Sequence, residues 1–81
     1  MPRKEDILAG RVLRRVRERA GVTQEVLGER IGISYQQIQK NETGQNRISV
    51  SRLFDYAKAL DTEPHVIVRL IEFEAQAEKD F

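Results

Sequence analysis

The sequence of 81 residues lacks cysteine and tryptophan and contains a single histidine, His65. Without cysteine, the chain can form neither a disulfide nor a thiolate metal site. One histidine cannot by itself supply a metal cluster or a Ser-His-Asp triad, and no phosphate-binding glycine loop is present. We therefore expect no catalytic residues, no metal, no cofactor and no small-molecule ligand. We interpret His65, which directly follows Pro64, as a structural or solvent-exposed residue.

Long apolar runs are also missing. None approaches the roughly 18 residues that cross a bilayer, and the N-terminus lacks the apolar core of a signal peptide. We therefore expect a cytoplasmic protein that does not contact membranes. The chain has no Gly/Ser linker, no internal repeat and no trustworthy alternating strand pattern. We expect one small domain over residues 1–81, and with the helices described below an all-α one, with its core over about 7–70 and its last helix extending to about 78.

Net charge is only +1, a weak electrostatic signal for a nucleic-acid-binding protein, but the charge is unevenly distributed. Residues 1–20 contain seven basic and three acidic side chains, whereas residues 61–81 contain two basic and six acidic ones. A basic beginning and an acidic end predict a basic front and an acidic back, which suits binding to a polyanion. The helix 1 arginines can serve as phosphate contacts or simply as solubilising charge.

The segment Thr23 to Glu42 predicts two short helices joined by a tight turn. Thr23 and Ser34 can each cap a helix N-terminus with a hydroxyl group. Gly32 can end the first helix, because glycine adopts a left-handed conformation without steric cost. Over the whole chain, apolar periodicity and caps predict helices at about Glu5–Ala20, Gln24–Ile31, Tyr35–Glu42 and Val50–Leu60, and a fifth from about Glu63 or Pro64 to Glu78.

Ile38 is the one aliphatic residue of the third predicted helix. Rotating by about 100° per residue places Gln36 and Lys40 nearly opposite it. Gln37 and Gln39 flank this outward face, and Tyr35 lies at its side. Glutamine can pair with adenine and lysine with guanine, and no carboxylate is present there to repel phosphate. The alternative interpretation is an ordinary solvated helix face.

The motif Thr23-Gln24-Glu25-x-Leu27, Ile31-Gly32-Ile33-Ser34, Ile38 and Glu42-x-Gly44 resembles the helix-turn-helix of the lambdoid phage repressor and Cro family, the XRE-like regulators. The resemblance covers roughly Leu13 to Val68. It implies a five-helix, lambda-repressor-like domain in which the third helix enters the major groove of double-stranded DNA. Base readout would then fall to Gln36 and Lys40, with Gln37, Gln39 and Tyr35 as secondary candidates.

The same resemblance implies further roles. Arg17 and Glu42 would form a structural ion pair. The DNA phosphates would be contacted by a set of polar residues in the motif and in the loop that follows it: Gln24, Ser34, Gln45, Asn46 and Arg47. A plain solvated loop is the alternative for the last three. The sequence departs from the family at Asn41, where an aromatic or aliphatic residue is usual. Either less apolar area is buried under the helix, or the amide has found a partner.

The remaining helices provide the packing surfaces. We expect buried stripes of Ala9, Val12, Leu13, Val16 and Ala20 in helix 1, and of Val50, Leu53, Phe54, Ala57 and Leu60 in helix 4. Helix 5 has two apolar stripes, although covering one domain needs only one. We expect Val66 and Leu70 to close the core, and Val68, Ile71 and Phe73 to form a homodimer interface.

The predicted function is that of a DNA-binding transcriptional regulator, acting as a homodimer on a pseudo-palindromic operator. Two alternatives are an antitoxin-type autoregulator, whose acidic C-terminal helix would hold a toxin, and an adaptor that kept the fold and lost DNA binding. The operator sequence, the direction of regulation and the target genes do not follow from the sequence.

Overall fold

Five α-helices make up the computed structural model, which describes residues 2–79. They are α1 (Lys4–Arg19), α2 (Gln24–Ile31), α3 (Tyr35–Glu42), α4 (Val50–Ala59) and α5 (Pro64–Lys79). No strand occurs among these residues, and the predicted all-α fold is confirmed. Met1, Asp80 and Phe81, the ends of the predicted domain, lie outside the described part. Within residues 2–79, no helix is long and apolar enough to cross a membrane.

Hydroxyl side chains begin three of the helices. Thr23, Ser34 and Ser49 each accept a hydrogen bond from the backbone amide three residues further on, at 3.1, 3.3 and 3.0 Å. These bonds satisfy amides that have no partner within the first turn of a helix. Gly32 ends α2 with a left-handed φ of 88°. The caps and the turn predicted for the helix-turn-helix segment are confirmed.

The core lies where α1 packs on α3 and α5, and where α4 packs on α2 and α5. Its larger cluster lies beneath α3 and contains the fully buried Ile38, as predicted. A second cluster joins α1, α4 and α5 through Val12, Ala57 and Ile67. The buried members of the larger cluster come from four helices and two turns: Leu13, Val22, Leu27, Ile38, Tyr56 and Leu60.

Two predicted stripes need correction. Ala20 is exposed because α1 ends at Arg19, and Leu8 is buried in its place. In α4, Val50 and Phe54 are exposed, whereas Tyr56 is fully buried. The face of α4 that packs on the core therefore includes Tyr56 and Ala57 rather than Val50 and Phe54.

The predicted core face of α5 was also wrong. Ile67 is buried and Ile71 is half-buried against the second cluster, while Val66 and Leu70 remain 39% and 41% exposed. Residues 66–68 are all aliphatic, so periodicity alone does not determine which face of α5 is buried. The buried face is the one that packs on Val12 of α1 and Ala57 of α4.

Glycine allows two backbone segments to approach closely beside the helix-turn-helix. A Cβ atom on Gly10 of α1 would lie 2.4 Å from the carbonyl oxygen of Asn41 and 2.5 Å from that of Glu42. A Cβ on Gly28 of α2 would lie 2.5 Å from the carbonyl oxygen of Ile33, in the turn before α3. Backbone atoms cannot move aside as a flexible side chain can. Both glycines therefore permit the seating of α3 against its neighbours.

Candidate nucleic-acid interface

The outer face of α3 is polar and free of carboxylates. All five residues predicted to read bases are exposed: Gln36, Lys40, Gln37, Gln39 and Tyr35. Ile38, on the opposite side of the helix, is fully buried and fixes the rotation of α3 about its axis. The face therefore presents amide donors and acceptors, a phenol and one ammonium group to a ligand.

Glu42, the last residue of α3, joins three helices. Its carboxylate accepts hydrogen bonds from Arg17 Nε at 2.6 Å and from Arg17 Nη2 at 3.0 Å, so the pair is bidentate. Gln24 Nε2 donates to the same carboxylate at 3.0 Å, and Arg17 Nη1 donates to the carbonyl oxygen of Val22 at 2.9 Å. Arg17 is 9% and Glu42 is 6% exposed. We call Arg17, Gln24 and Glu42 the Glu42 cluster.

The cluster compensates an unfavourable position. A carboxylate at a helix C-terminus faces the negative end of the helix dipole, and burial also removes its water. The bidentate guanidinium offsets both costs. Hydrogen bonding to Glu42 raises the pKa of Arg17 above its ordinary value, against the lowering effect of burial, so the arginine stays charged.

Gln24, which was predicted to contact a phosphate, is half-buried in the cluster. It borders an open cleft of about 430 Å³ that is also lined by Arg14, Gln39 and Thr43. Its amide nitrogen is bonded within the protein. Gln24 therefore supports the end of α3 through this hydrogen bond. The cleft that it borders is open to solvent.

Ser34, another predicted phosphate contact, is the exposed N-cap of α3, and the loop between α3 and α4 holds the remaining three. Gln45, Asn46 and Arg47 are all exposed. Arg47 Nε donates to Asp6 Oδ2 at 3.2 Å, an exposed contact with the first turn of α1. Gly44 has a φ of 81°, and a Cβ there would lie 2.8 Å from Ile7 Cα. Glycine is therefore required where this loop passes α1.

Asn41 has found polar partners, which was one of the two interpretations of this departure from the family. Its Nδ2 donates to the carbonyl oxygens of Asn46 at 3.1 Å and Arg47 at 3.4 Å. Its Oδ1 accepts from the hydroxyl of Tyr56 at 2.6 Å. Burial raises the pKa of Tyr56 to about 12, so the hydroxyl is protonated and donates at neutral pH.

A second polar cleft, of about 200 Å³, lies between α3 and the beginning of α4. Gln37 borders it from α3, and Arg47, Ser49 and Arg52 border it from the loop and α4. Arg52 and Ser49 are candidate phosphate contacts that the sequence reading missed. The sequence contains a pattern that could have indicated them: Arg52 follows the capping Ser49 by three residues, which places it in the first turn of α4, next to the loop.

The predicted basic front and acidic back are wrong in part. Packing of α1 on α5 forms ion pairs between Arg15 and Glu74, between Arg11 and Glu78 at 3.6 Å, and between Lys4 and Glu78 at 3.1 Å. Charges that are separated along the sequence are therefore adjacent in space. Of the α1 arginines, the exposed Arg14 and the buried Arg17 border the cleft beside α3.

The three residues predicted to form a dimer interface differ in exposure. Phe73 is 71% and Val68 is 49% exposed, whereas Ile71 is half-buried against the core. Leu70 and Phe73 also border a groove of about 150 Å³ with Val12 and Val16 of α1. Apolar side chains of α5 therefore remain exposed at Val66, Val68, Leu70 and Phe73.

The sequence profile described as helix-turn-helix matches residues 13–67. The chain belongs to the helix-turn-helix family. This match confirms the resemblance to XRE-like regulators that was drawn from the motif. A transcriptional regulator encoded in the ATPase CF(0) region of Rhodospirillum rubrum is 54% identical over 55 residues, which are 68% of this chain and 51% of that protein.

A helix-turn-helix-type transcriptional regulator of Sinorhizobium fredii is 43% identical over 63 residues, or 78% of this chain and 44% of that protein. This helix-turn-helix chain thus spans about half the length of the curated relatives it matches. Both are named as regulators rather than as enzymes.

Solved structures show the same architecture. The restriction-modification controller protein C.AhdI of Aeromonas hydrophila is 31% identical, with a TM-score of 0.72 over 75% of this chain and 92% of that one. The clp gene regulator ClgR of Corynebacterium glutamicum has a TM-score of 0.84 over 89% of this chain and 94% of that one. ClgR is 22% identical, so this second likeness concerns the fold alone.

The Glu42 cluster makes a quantitative prediction. Arg17→Met leaves a buried carboxylate without its cation, and Glu42→Leu leaves a buried guanidinium, so each should lower the free energy of unfolding by about 3–5 kcal/mol. In the double variant no charge is left unpaired, so its loss should be well below the sum of the two single losses. Urea unfolding of all four proteins measures the coupling. Strictly additive losses would reject a coupled pair.

Proposed function

We propose that this chain is the DNA-binding part of a transcriptional regulator, which binds a pseudo-palindromic operator as a homodimer and reads it with α3. The observation that supports this most directly is the carboxylate-free face of α3, with Gln36 and Lys40 exposed above the buried Ile38. Bidentate amides and ammonium groups suit base edges in the major groove. The regulators named above support the same function.

Phosphate contacts would position that helix on the duplex. Arg47 and Arg52 border one cleft beside α3, and Arg14 borders the cleft on the Gln24 side. Cations on both sides of α3 would meet the backbones that flank a groove, because phosphate contacts set register and orientation without reading sequence. Arg47 would exchange or share its exposed contact with Asp6, since such pairs contribute at most about 1 kcal/mol.

The roles of Gln36 and Arg47 should differ in a measurable way. Gln36→Ala should weaken binding to a selected operator by about 1–3 kcal/mol and leave binding to random duplex almost unchanged, because it removes a base contact. Arg47→Ala should weaken both and reduce the slope of log K against log salt by about one unit, because it removes a phosphate contact.

Fluorescence anisotropy at several salt concentrations gives the affinities for both duplexes and the salt slope. His65→Ala replaces an exposed residue at the beginning of α5; it is the control and should change neither the affinities nor the slope. Equal weakening on operator and random duplex by Gln36→Ala would show that α3 does not read bases. Salt-insensitive binding of the unaltered chain would favour the adaptor alternative.

Dimerisation through α5 is the second part of the proposal. Val68 and Phe73 are exposed on this helix, and Ile71 is half-buried against the second core cluster. An unpaired apolar surface on a domain this small favours burial against a two-fold mate. Half-sites would then lie about one helical turn apart, on the order of 34 Å.

Phe73→Lys tests the interface without disturbing the core, because Phe73 is 71% exposed. An unpaired ammonium in an apolar interface costs several kcal/mol, so the variant should sediment as a monomer with unchanged helical content. Val50→Lys is the matched control, since Val50 is 73% exposed but lies on α4. A dimeric Phe73→Lys protein, together with a monomeric Val50→Lys protein, would move the interface to the region of Gln45–Val50.

A further inference from the structure

We propose that Tyr56 and Asn41 are positioning residues for DNA binding, which hold the loop of residues 43–49 so that Arg47 meets a phosphate. This inference rests on the proposed function. Tyr56 donates to Asn41 Oδ1, and Asn41 Nδ2 donates to the carbonyl oxygens of Asn46 and Arg47. We call this chain of hydrogen bonds the Tyr56–Asn41 link.

The link begins in the core and ends at the predicted DNA surface. Tyr56 is 0% and Asn41 is 7% exposed, whereas Asn46 and Arg47 are exposed. The backbone amide of Asn46 also donates to the carbonyl oxygen of Lys40, at 3.1 Å. Asn46 is therefore held to the end of α3 through both its amide and its carbonyl group. A loop held in this way has a fixed position relative to α3, the helix that would read bases.

The direction of these bonds matters for an anionic ligand. A carbonyl oxygen that faced a phosphate would repel it, because both groups are hydrogen-bond acceptors. Asn41 turns two such oxygens toward the protein. The side chain of Arg47 is left on the exposed side, beside Ser49 and Arg52 in the polar cleft. An apolar residue at position 41 could bury its surface but could not hold these carbonyls.

Breaking the link should affect the loop of residues 43–49 more than the rest of the fold. With the hydroxyl removed, Asn41 Oδ1 loses its only protein donor in the described part of the chain. An unpaired buried amide oxygen favours a rearrangement in which it reaches water. Such a movement would release the carbonyls of residues 46 and 47 first, since they are bonded to the same side chain. The consequence is a loosened loop on an otherwise intact fold.

Tyr56→Phe is the sharpest test, because it removes one oxygen atom and keeps the ring in the core. Hydrogen exchange of the Asn46 amide should accelerate at least about tenfold more than that of core amides, measured by NMR without DNA. Affinity for a random-sequence duplex should fall about three- to tenfold, and the salt slope should become shallower by up to about one unit. Asn41→Leu should give the same changes, and the double variant should add little to them.

Leu60→Val is the matched control, because Leu60 is buried in the same cluster as Tyr56 and takes no part in the link. It should lower the unfolding temperature and leave both the Asn46 exchange ratio and the DNA affinity unchanged. A Tyr56→Phe protein that behaves like Leu60→Val would overturn the inference and make the link purely structural. Failure of the unaltered chain to bind duplex would instead refute the proposed function, while the exchange data would still report on the loop.

Discussion

The buried carboxylate of Glu42 is the constraint on which the rest of the structure depends. It stands at the C-terminus of α3, where both the helix dipole and the loss of water oppose a negative charge. Arg17 from α1 and Gln24 from α2 satisfy it, so the end of α3 can lie in only one place relative to those two helices. Gly10 makes that arrangement possible, because a Cβ there would meet the carbonyl oxygens at this same helix end.

Other features follow from the fixed end of α3. Ile38 sets the rotation of the helix, so Gln36 and Lys40 point outward. Asn41 binds the loop that leaves the helix, and Tyr56 connects that loop with the core. The described residues thus contain two polar links around α3, and each has a buried pair at its centre, Arg17 with Glu42 and Asn41 with Tyr56. The exposed face of α3 takes no part in either link, which leaves its amides available for a ligand.

Much of this arrangement could be predicted from local chemistry. The hydroxyl caps, the left-handed Gly32 and the burial of Ile38 follow from neighbouring residues, and the pairing of Arg17 with Glu42 was expected from the family motif. The Tyr56–Asn41 link joins two helices that no local pattern relates. The ion pairs of α1 with α5 likewise depend on packing, which brings Arg15 beside Glu74. The predicted buried face of α5 was wrong because its adjacent aliphatic residues are compatible with several buried faces.

Selection of bound sequences from a pool of random duplexes tests the central claim most directly, namely that a rigidly held α3 reads DNA. The account predicts enrichment of a two-fold symmetric motif with half-sites about one helical turn apart. Repeating the selection with Gln36→Ala should then lose sequence preference at one symmetric pair of positions and retain it elsewhere. A pool that shows no enrichment, or the same motif with both proteins, would contradict the assignment of α3 as the reading helix.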